Sequence, residues 1–83
     1  MYPCPCCRYP TLDEPPPGTF AICPVCFWED DNVQFLDPTY RGGANVESLT
    51  EARASFAVIG ACDPRFAHCV RAPTLAELRG RSD

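Results

Sequence analysis

The stretch Cys4-Pro5-Cys6-Cys7, followed after 15 residues by Cys23-Pro24-Val25-Cys26, decides how the rest of the chain is read. Two C-x2-C pairs at this separation match the four-cysteine zinc pattern, in which each pair forms a tight turn and offers two thiolates to one tetrahedral ion. The expected ligands are Cys4, Cys7, Cys23 and Cys26. The expected metal is Zn2+, with iron as the alternative because four thiolates suit both. A proline follows the first cysteine of each pair, fixing φ and favouring the turn. Cysteine also serves as a small buried hydrophobe or as half of a disulfide, but scattered core cysteines would not fall into two matched pairs at metal spacing.

Working outward, Tyr9 to Leu12 and Thr19 to Ile22 read as two short strands separated by Asp13-Glu14-Pro15-Pro16-Pro17-Gly18, a run with turn chemistry. This predicts a hairpin carrying one cysteine pair at its start and the other at its end. Val33 to Leu36 reads as a third strand, broken by Asp37-Pro38. The expected fold class is therefore a small α+β metal-bound domain of zinc-ribbon or rubredoxin-like type, with a β-hairpin or three-stranded sheet packed by one main helix.

That helix is predicted over residues 49–59. Ser48 and Glu51 form a capping box, Leu49, Ala52, Phe56 and Ile59 recur at helical spacing, and Gly60 ends the run. Val58 lies opposite Leu49 on the helix, so it faces solvent or a second packing partner. Asp63-Pro64 caps a further turn of helix carrying Phe66 and Val70, and Thr74 with Glu77 caps a last short helix through Leu78. Residues 80–83 are expected to fray. One domain spanning 1–83 with a C-terminal helical segment accounts for the chain.

A chain of 83 residues sits near the size at which a hydrophobic core alone is marginal and a staple is usual. The apolar fraction of 46% includes seven cysteines and many alanines, so the large side chains are few. The expected core is Leu12, Phe20, Ile22, Phe27, Trp28, Phe35, Leu36, Leu49, Phe56, Ile59 and Phe66. Nothing resembles a signal peptide or a membrane-spanning run, which points to a soluble, cytoplasmic protein with no membrane partner. The odd cysteine count fits reduced thiols and metal better than a disulfide framework.

Charge is unevenly placed. Residues 1–40 carry one basic residue, Arg8, against six acidic ones, a net of −5, whereas residues 41–83 sum to +1. An acidic metal-binding half repels nucleic-acid backbone and favours a basic protein partner.

Several motifs in order, Tyr2-Pro-Cys-Pro-Cys-Cys, Thr11-Leu-Asp-Glu-Pro-Pro, Ile22-Cys-Pro-Val-Cys-Phe-Trp-Glu-Asp-Asp, Gly42-Gly-Ala-Asn and Glu51-Ala-Arg, resemble the small cysteine-rich CPCC domain family. The resemblance continues through Gly60-Ala-Cys-Asp and Val70-Arg-Ala-Pro-Thr, covering roughly residues 2 to 74. It implies a small zinc-binding protein and assigns no activity. The family motifs fall on Cys4, Cys6, Cys7, Cys23, Cys26 and Trp28 through Asp31. Cys62 lies in the matched region, whereas His68 and Cys69 read as local choices.

The remaining candidates each have a plainer reading. Cys6, the thiol left between two ligands, is expected to point outward from its turn, with a redox role as the alternative. Glu29, Asp30 and Asp31 could bind a hard cation or act as a base, but a four-thiolate centre lacks the open position that hydrolysis needs, so a solvated acidic turn is expected. Cys62, His68 and Cys69 match no standard metal spacing. Arg65, Arg71, Arg79 and Arg81 read as a solvated face, and Trp28 as core. The expected function is a non-catalytic zinc-binding module mediating protein–protein interaction. The alternatives are a nucleic-acid-binding zinc ribbon and a metal-dependent enzyme or thiol-based sensor.

Overall fold

Each cysteine pair turns the chain back on itself, and this sets the architecture of the computed structural model, which describes residues 1–82. In the first turn Arg8 N donates to Cys4 O at 2.8 Å and Cys4 N to Tyr9 O at 3.0 Å; in the second, Phe27 N donates to Cys23 O at 2.8 Å and Cys23 N to Trp28 O at 2.9 Å. The two turns are copies of one another. Both place the residue after the second cysteine in the left-handed region, with φ of 68° at Arg8 and 72° at Phe27.

The segments flanking each turn pair locally. Strand β1 (Tyr2–Pro3) runs antiparallel to β2 (Pro10–Leu12), with Tyr2 opposite Leu12 and Pro3 opposite Pro10. Around the second turn Ile22 bridges to Glu29. Among the described residues the expected hairpin between Tyr9–Leu12 and Thr19–Ile22 is therefore not formed, nor is a three-stranded sheet. Thr19–Ile22 pairs forward instead, through Phe20 N to Asp30 O and Asp30 N to Ala21 O, both 2.9 Å. The two loops are equally long, six residues at 4–9 and at 13–18, so the difference lies in their chemistry: each cysteine turn closes on its own backbone hydrogen bonds, whereas the prolines at 15–17 offer the other loop no N–H donors.

The expected third strand is a helix, α1 (Asn32–Leu36). Asp31 caps it, accepting from Val33 N at 2.7 Å and Gln34 N at 3.1 Å. Strand propensity in Val33-Gln34-Phe35 yields to that cap because it is a weak, context-dependent preference.

Helix α2 (Leu49–Ile59) follows with its reciprocal Ser48–Glu51 capping box and with Gly60 at φ 75° closing its end. Leu49 and Ala52 are buried, but Phe56 is half-buried and Ile59 exposed, so the expected stripe covers only the first part of the helix. Eleven residues run about 16 Å, longer than the small core they cover. Val58, at 83% exposed, faces outward. Phe56 meets Tyr9 edge-on at 6.2 Å. Its replacement by alanine should cost about 1–2 kcal/mol in chemical denaturation, well short of the 3–5 kcal/mol typical of a fully buried ring.

A 3-10 turn (Pro64–Phe66) capped by Asp63 and helix α3 (Leu75–Arg79) with its Thr74–Glu77 capping box complete the chain. The core gathers around sulfur. Cys4, Cys6, Cys7, Cys23, Cys26 and Cys62 pack with Leu12, Val25, Trp28, Leu49 and Ala52, while Tyr9, Phe27, Phe56 and Phe66 pack against them from outside. Phe20, Ile22, Phe35 and Leu36, expected inside, are exposed because the strands that would have buried them are absent.

Candidate metal centre

The two turns face each other and bring four sulfurs together. The Sγ atoms of Cys4, Cys7, Cys23 and Cys26 all lie within 4.8 Å of one another, and all four residues are buried. Cys4 Sγ is 3.6 Å from Cys26 Sγ, and Cys7 Sγ is 3.7 Å from Cys23 Sγ. Thr11 Oγ1 lies 3.0 Å from Cys23 Sγ, and Trp28 N donates to Cys26 Sγ at 3.5 Å. Such a cluster could hold a metal ion.

Its electrostatics point the same way. Hydrogen bonds from Cys26, Cys4 and Cys7 converge on Cys23 and pull its pKa far below the ordinary thiol range, while Cys4, Cys7 and Cys26 are pushed far above it, chiefly through the same Cys23 sulfur. Deprotonating all four requires a cation at their centre.

The C-terminal half ties down both turns. Arg53 Nε donates to Pro5 O at 2.9 Å and Arg81 Nε to Cys7 O at 3.0 Å on the first turn. On the second, Cys62 N donates to Cys26 O at 2.8 Å and Arg71 N to Pro24 O at 3.1 Å. Phe27, forced to positive φ, stacks on Phe66 with ring centroids 4.7 Å apart.

The acidic run behind the second turn is not a solvated surface. Asp30 is 1% exposed and its Oδ2 accepts from Thr19 N at 2.9 Å and Thr19 Oγ1 at 2.7 Å. Asp31 caps α1 through Oδ1 and accepts from Ala44 N through Oδ2 at 2.8 Å. Burial pushes its carboxyl up, but the N–H donors of Ala44, Gln34 and Val33 outweigh this and hold it below the usual range. Glu29 contributes its peptide, whose N–H and C=O are both bonded by the Asn45 side-chain amide, at 2.9 and 2.8 Å.

Gln34 joins these pieces. Fully buried, it directs Nε2 at the carbonyls of Tyr40, Asn45 and Glu47 and accepts at Oε1 from Asn45 N and Nδ2, all within 3.2 Å. Gly43 packs so closely that a Cβ there would stand 2.7 Å from Asp31 Oδ2 and 2.9 Å from the Gln34 amide carbon. The Trp28-Glu-Asp-Asp and Gly42-Gly-Ala-Asn motifs thus form one hydrogen-bonded plug that supports the second turn. Nothing in the residue types marked Gln34 as its hub.

The other candidates separate. Cys6 is buried, 4% exposed, and does not point outward as expected. Cys62 is buried in the core, whereas His68 and Cys69 are exposed, and among the described residues the only metal-capable group is the four-cysteine one. Arg65 pairs with Asp63 at 3.2 Å, Arg71 grips both oxygens of Glu77, and Arg79 is exposed. Trp28 is core, as expected, at 1% exposed.

Glu47 stands apart because it is buried and neither carboxyl oxygen has a hydrogen-bond partner; the Arg65 guanidinium is 3.8 Å away. Burial, followed by the neighbouring Asp63, raises its pKa. A raised folded-state pKa favours the protein at low pH and withdraws that contribution as pH rises. Glu47→Gln should therefore raise the thermal midpoint at neutral pH, by an amount that grows as pH is raised from the ordinary glutamate value of 4.5 through neutrality. Parallel melts of both proteins across that range would check the sign.

Among the described residues no helix is long and apolar enough to cross a membrane. No curated protein matches the chain. The family profile described as cysteine-rich CPCC matches residues 2–77 of the 83. With the paired cysteine turns and the motifs behind them placed in one structure, the chain belongs to the cysteine-rich CPCC family.

Proposed function

We propose that this protein is a non-catalytic zinc-binding module that docks onto another protein. The observation that carries the metal assignment is the sulfur spacing. Tetrahedral zinc with Zn–S bonds of about 2.3 Å sets sulfurs about 3.8 Å apart, against 3.6 and 3.7 Å for the Cys4–Cys26 and Cys7–Cys23 contacts. Cys4, Cys7, Cys23 and Cys26 would hold the ion, which supplies a covalent-strength cross-link between the two turns. This is the zinc-ribbon principle, with two facing knuckles. A closed four-thiolate set leaves no coordination position for a substrate, which argues against hydrolytic use.

Iron also suits four thiolates, and elemental analysis of purified protein distinguishes it from zinc. One zinc per chain is expected, and iron in its place would overturn the assignment. Cys6→Ser should keep that zinc, whereas Cys7→Ser should lose it. Equal loss in both would mean that Cys6 is a ligand.

Support for a protein partner is the share of large apolar side chains left exposed, among them Phe20, Ile22, Val33, Leu36 and Val46 at 49–77% exposed. The acidic run no longer supports it, because Asp30 and Asp31 are buried. Affinity purification followed by binding measurements on Ile22→Asp and Leu36→Asp tests the reading. A partner that binds both variants as well as the parent would remove the apolar surface from it.

A further inference from the structure

The first cysteine turn carries a cluster of three arginines. Arg8, Arg53 and Arg81 line one cavity of about 350 Å3 together with Cys6, Phe56 and Ala57. Arg8 and Arg53 also line the adjoining groove of about 470 Å3, whose walls include Tyr2, Pro15, Pro16 and Phe35. Among the described residues none of the three arginines enters an ion pair, although the chain as a whole carries a net charge of −4.

Arg53 and Arg81 have an evident internal use, since each bonds a carbonyl of the turn through Nε. Arg8 has none. It occupies φ 68°, where a residue with a Cβ costs about 1–2 kcal/mol relative to glycine, and its guanidinium makes no hydrogen bond among the described residues. Phe27, at the equivalent position of the second turn, offsets the same strain by stacking on Phe66. At Arg8 the backbone is held by Arg8 N to Cys4 O at 2.8 Å and Ser82 N to Arg8 O at 2.9 Å, but its side chain adds no hydrogen bond or ion pair among the described residues.

We propose that Arg8, Arg53 and Arg81 form a binding site for a small phosphate ester, with its phosphate on the guanidinium groups and its apolar or aromatic body in the groove beside Tyr2, Pro15, Pro16 and Phe35. Guanidinium groups from three separate segments suit a tetrahedral, multi-oxygen dianion better than a planar carboxylate. The groove has the volume of an ordinary small-molecule site and the expected mixture of apolar wall and few polar anchors. This goes beyond the zinc-module reading: loss of zinc would fail that reading, whereas loss of phosphate binding with zinc retained would fail this one alone.

The test is a titration of the zinc-loaded full chain, followed by 15N NMR, with inorganic phosphate, phenyl phosphate and benzoate. Saturable shifts should centre on Arg8, Arg53 and Arg81, with phenyl phosphate binding several-fold more tightly than inorganic phosphate and more tightly than benzoate. Arg8→Gln should weaken phenyl phosphate binding about tenfold or more, the scale of losing a charge-assisted contact, while zinc content stays unchanged. Arg53→Gln should act alike, and Arg79→Gln, on an exposed side chain outside the cavity, should have no effect. Affinity unchanged in Arg8→Gln, equal loss in Arg79→Gln, benzoate binding as tightly as phenyl phosphate, or no saturation at millimolar phosphate would each overturn the proposal. In the last case the arginines serve only to balance the charge of the thiolate centre.

Discussion

Removing the metal should unfold the protein. Structural zinc in small peptides is worth on the order of 10–16 kcal/mol at neutral pH, as large as the whole net stability of about 5–15 kcal/mol of a typical domain. The apolar side chains fully buried here are few: Trp28, Leu12, Leu49 and Val25 are the largest. The cysteines occupy the centre that aliphatic residues would otherwise fill. Without the ion, the four thiols cannot all ionise at their present spacing, and the two turns lose their common anchor. Excess chelator should therefore abolish the near-ultraviolet circular dichroism of the buried Trp28, with recovery on adding zinc. Cys23→Ser should reproduce the loss. Retention of a cooperative melt after complete metal removal would show that the cluster is not the staple.

Gln34→Ala should be nearly as damaging for one side chain. The substitution removes the donor to three carbonyls and the acceptor for two Asn45 groups in a buried setting. A buried polar group left unpaired costs about 1–3 kcal/mol. With partial rescue by water, the expected loss is about 3–5 kcal/mol, enough to leave a domain of this size marginal. Gln34→Glu is a sharper version. It keeps the volume, retains an acceptor for Asn45 and turns a carboxylate oxygen toward the carbonyls that the amide had donated to, so it should be no better tolerated than alanine. Urea denaturation of zinc-loaded variants measures both. A cost below 1 kcal/mol for Gln34→Ala would mean that the 40–47 loop holds its shape without the amide.

What was readable in advance was local. The cysteine pairs, the Ser48–Glu51 and Thr74–Glu77 capping boxes, the Asp63-Pro64 start and the Gly60 stop all act within a few residues, so their spacing alone specifies the structure they make. The site was legible for the same reason: a C-x2-C turn presents two sulfurs to one side whatever surrounds it. Strand pairing was not. Tyr9–Leu12 was expected to pair with Thr19–Ile22, yet its strand pairs with Tyr2–Pro3 across a loop of the same six-residue length, because the cysteine turn closes on its own backbone hydrogen bonds.

The fate of the polar residues was decided only in three dimensions. Glu29-Asp30-Asp31 reads as a solvated acidic turn in any window of sequence. It becomes an interior plug because Thr19, Ala44 and Asn45, lying 11 to 16 residues away, supply its hydrogen-bond partners. Gln34 lies in a segment read as a strand, and it is buried because the carbonyls of Tyr40, Asn45 and Glu47 converge on its amide. A charge or an amide carries no mark of burial in its own residue type; the partners that make burial tolerable are a property of the fold. Composition and spacing therefore determined where the four-cysteine cluster would form, while long-range hydrogen bonding determined which acids, which glutamine and which arginines surround it.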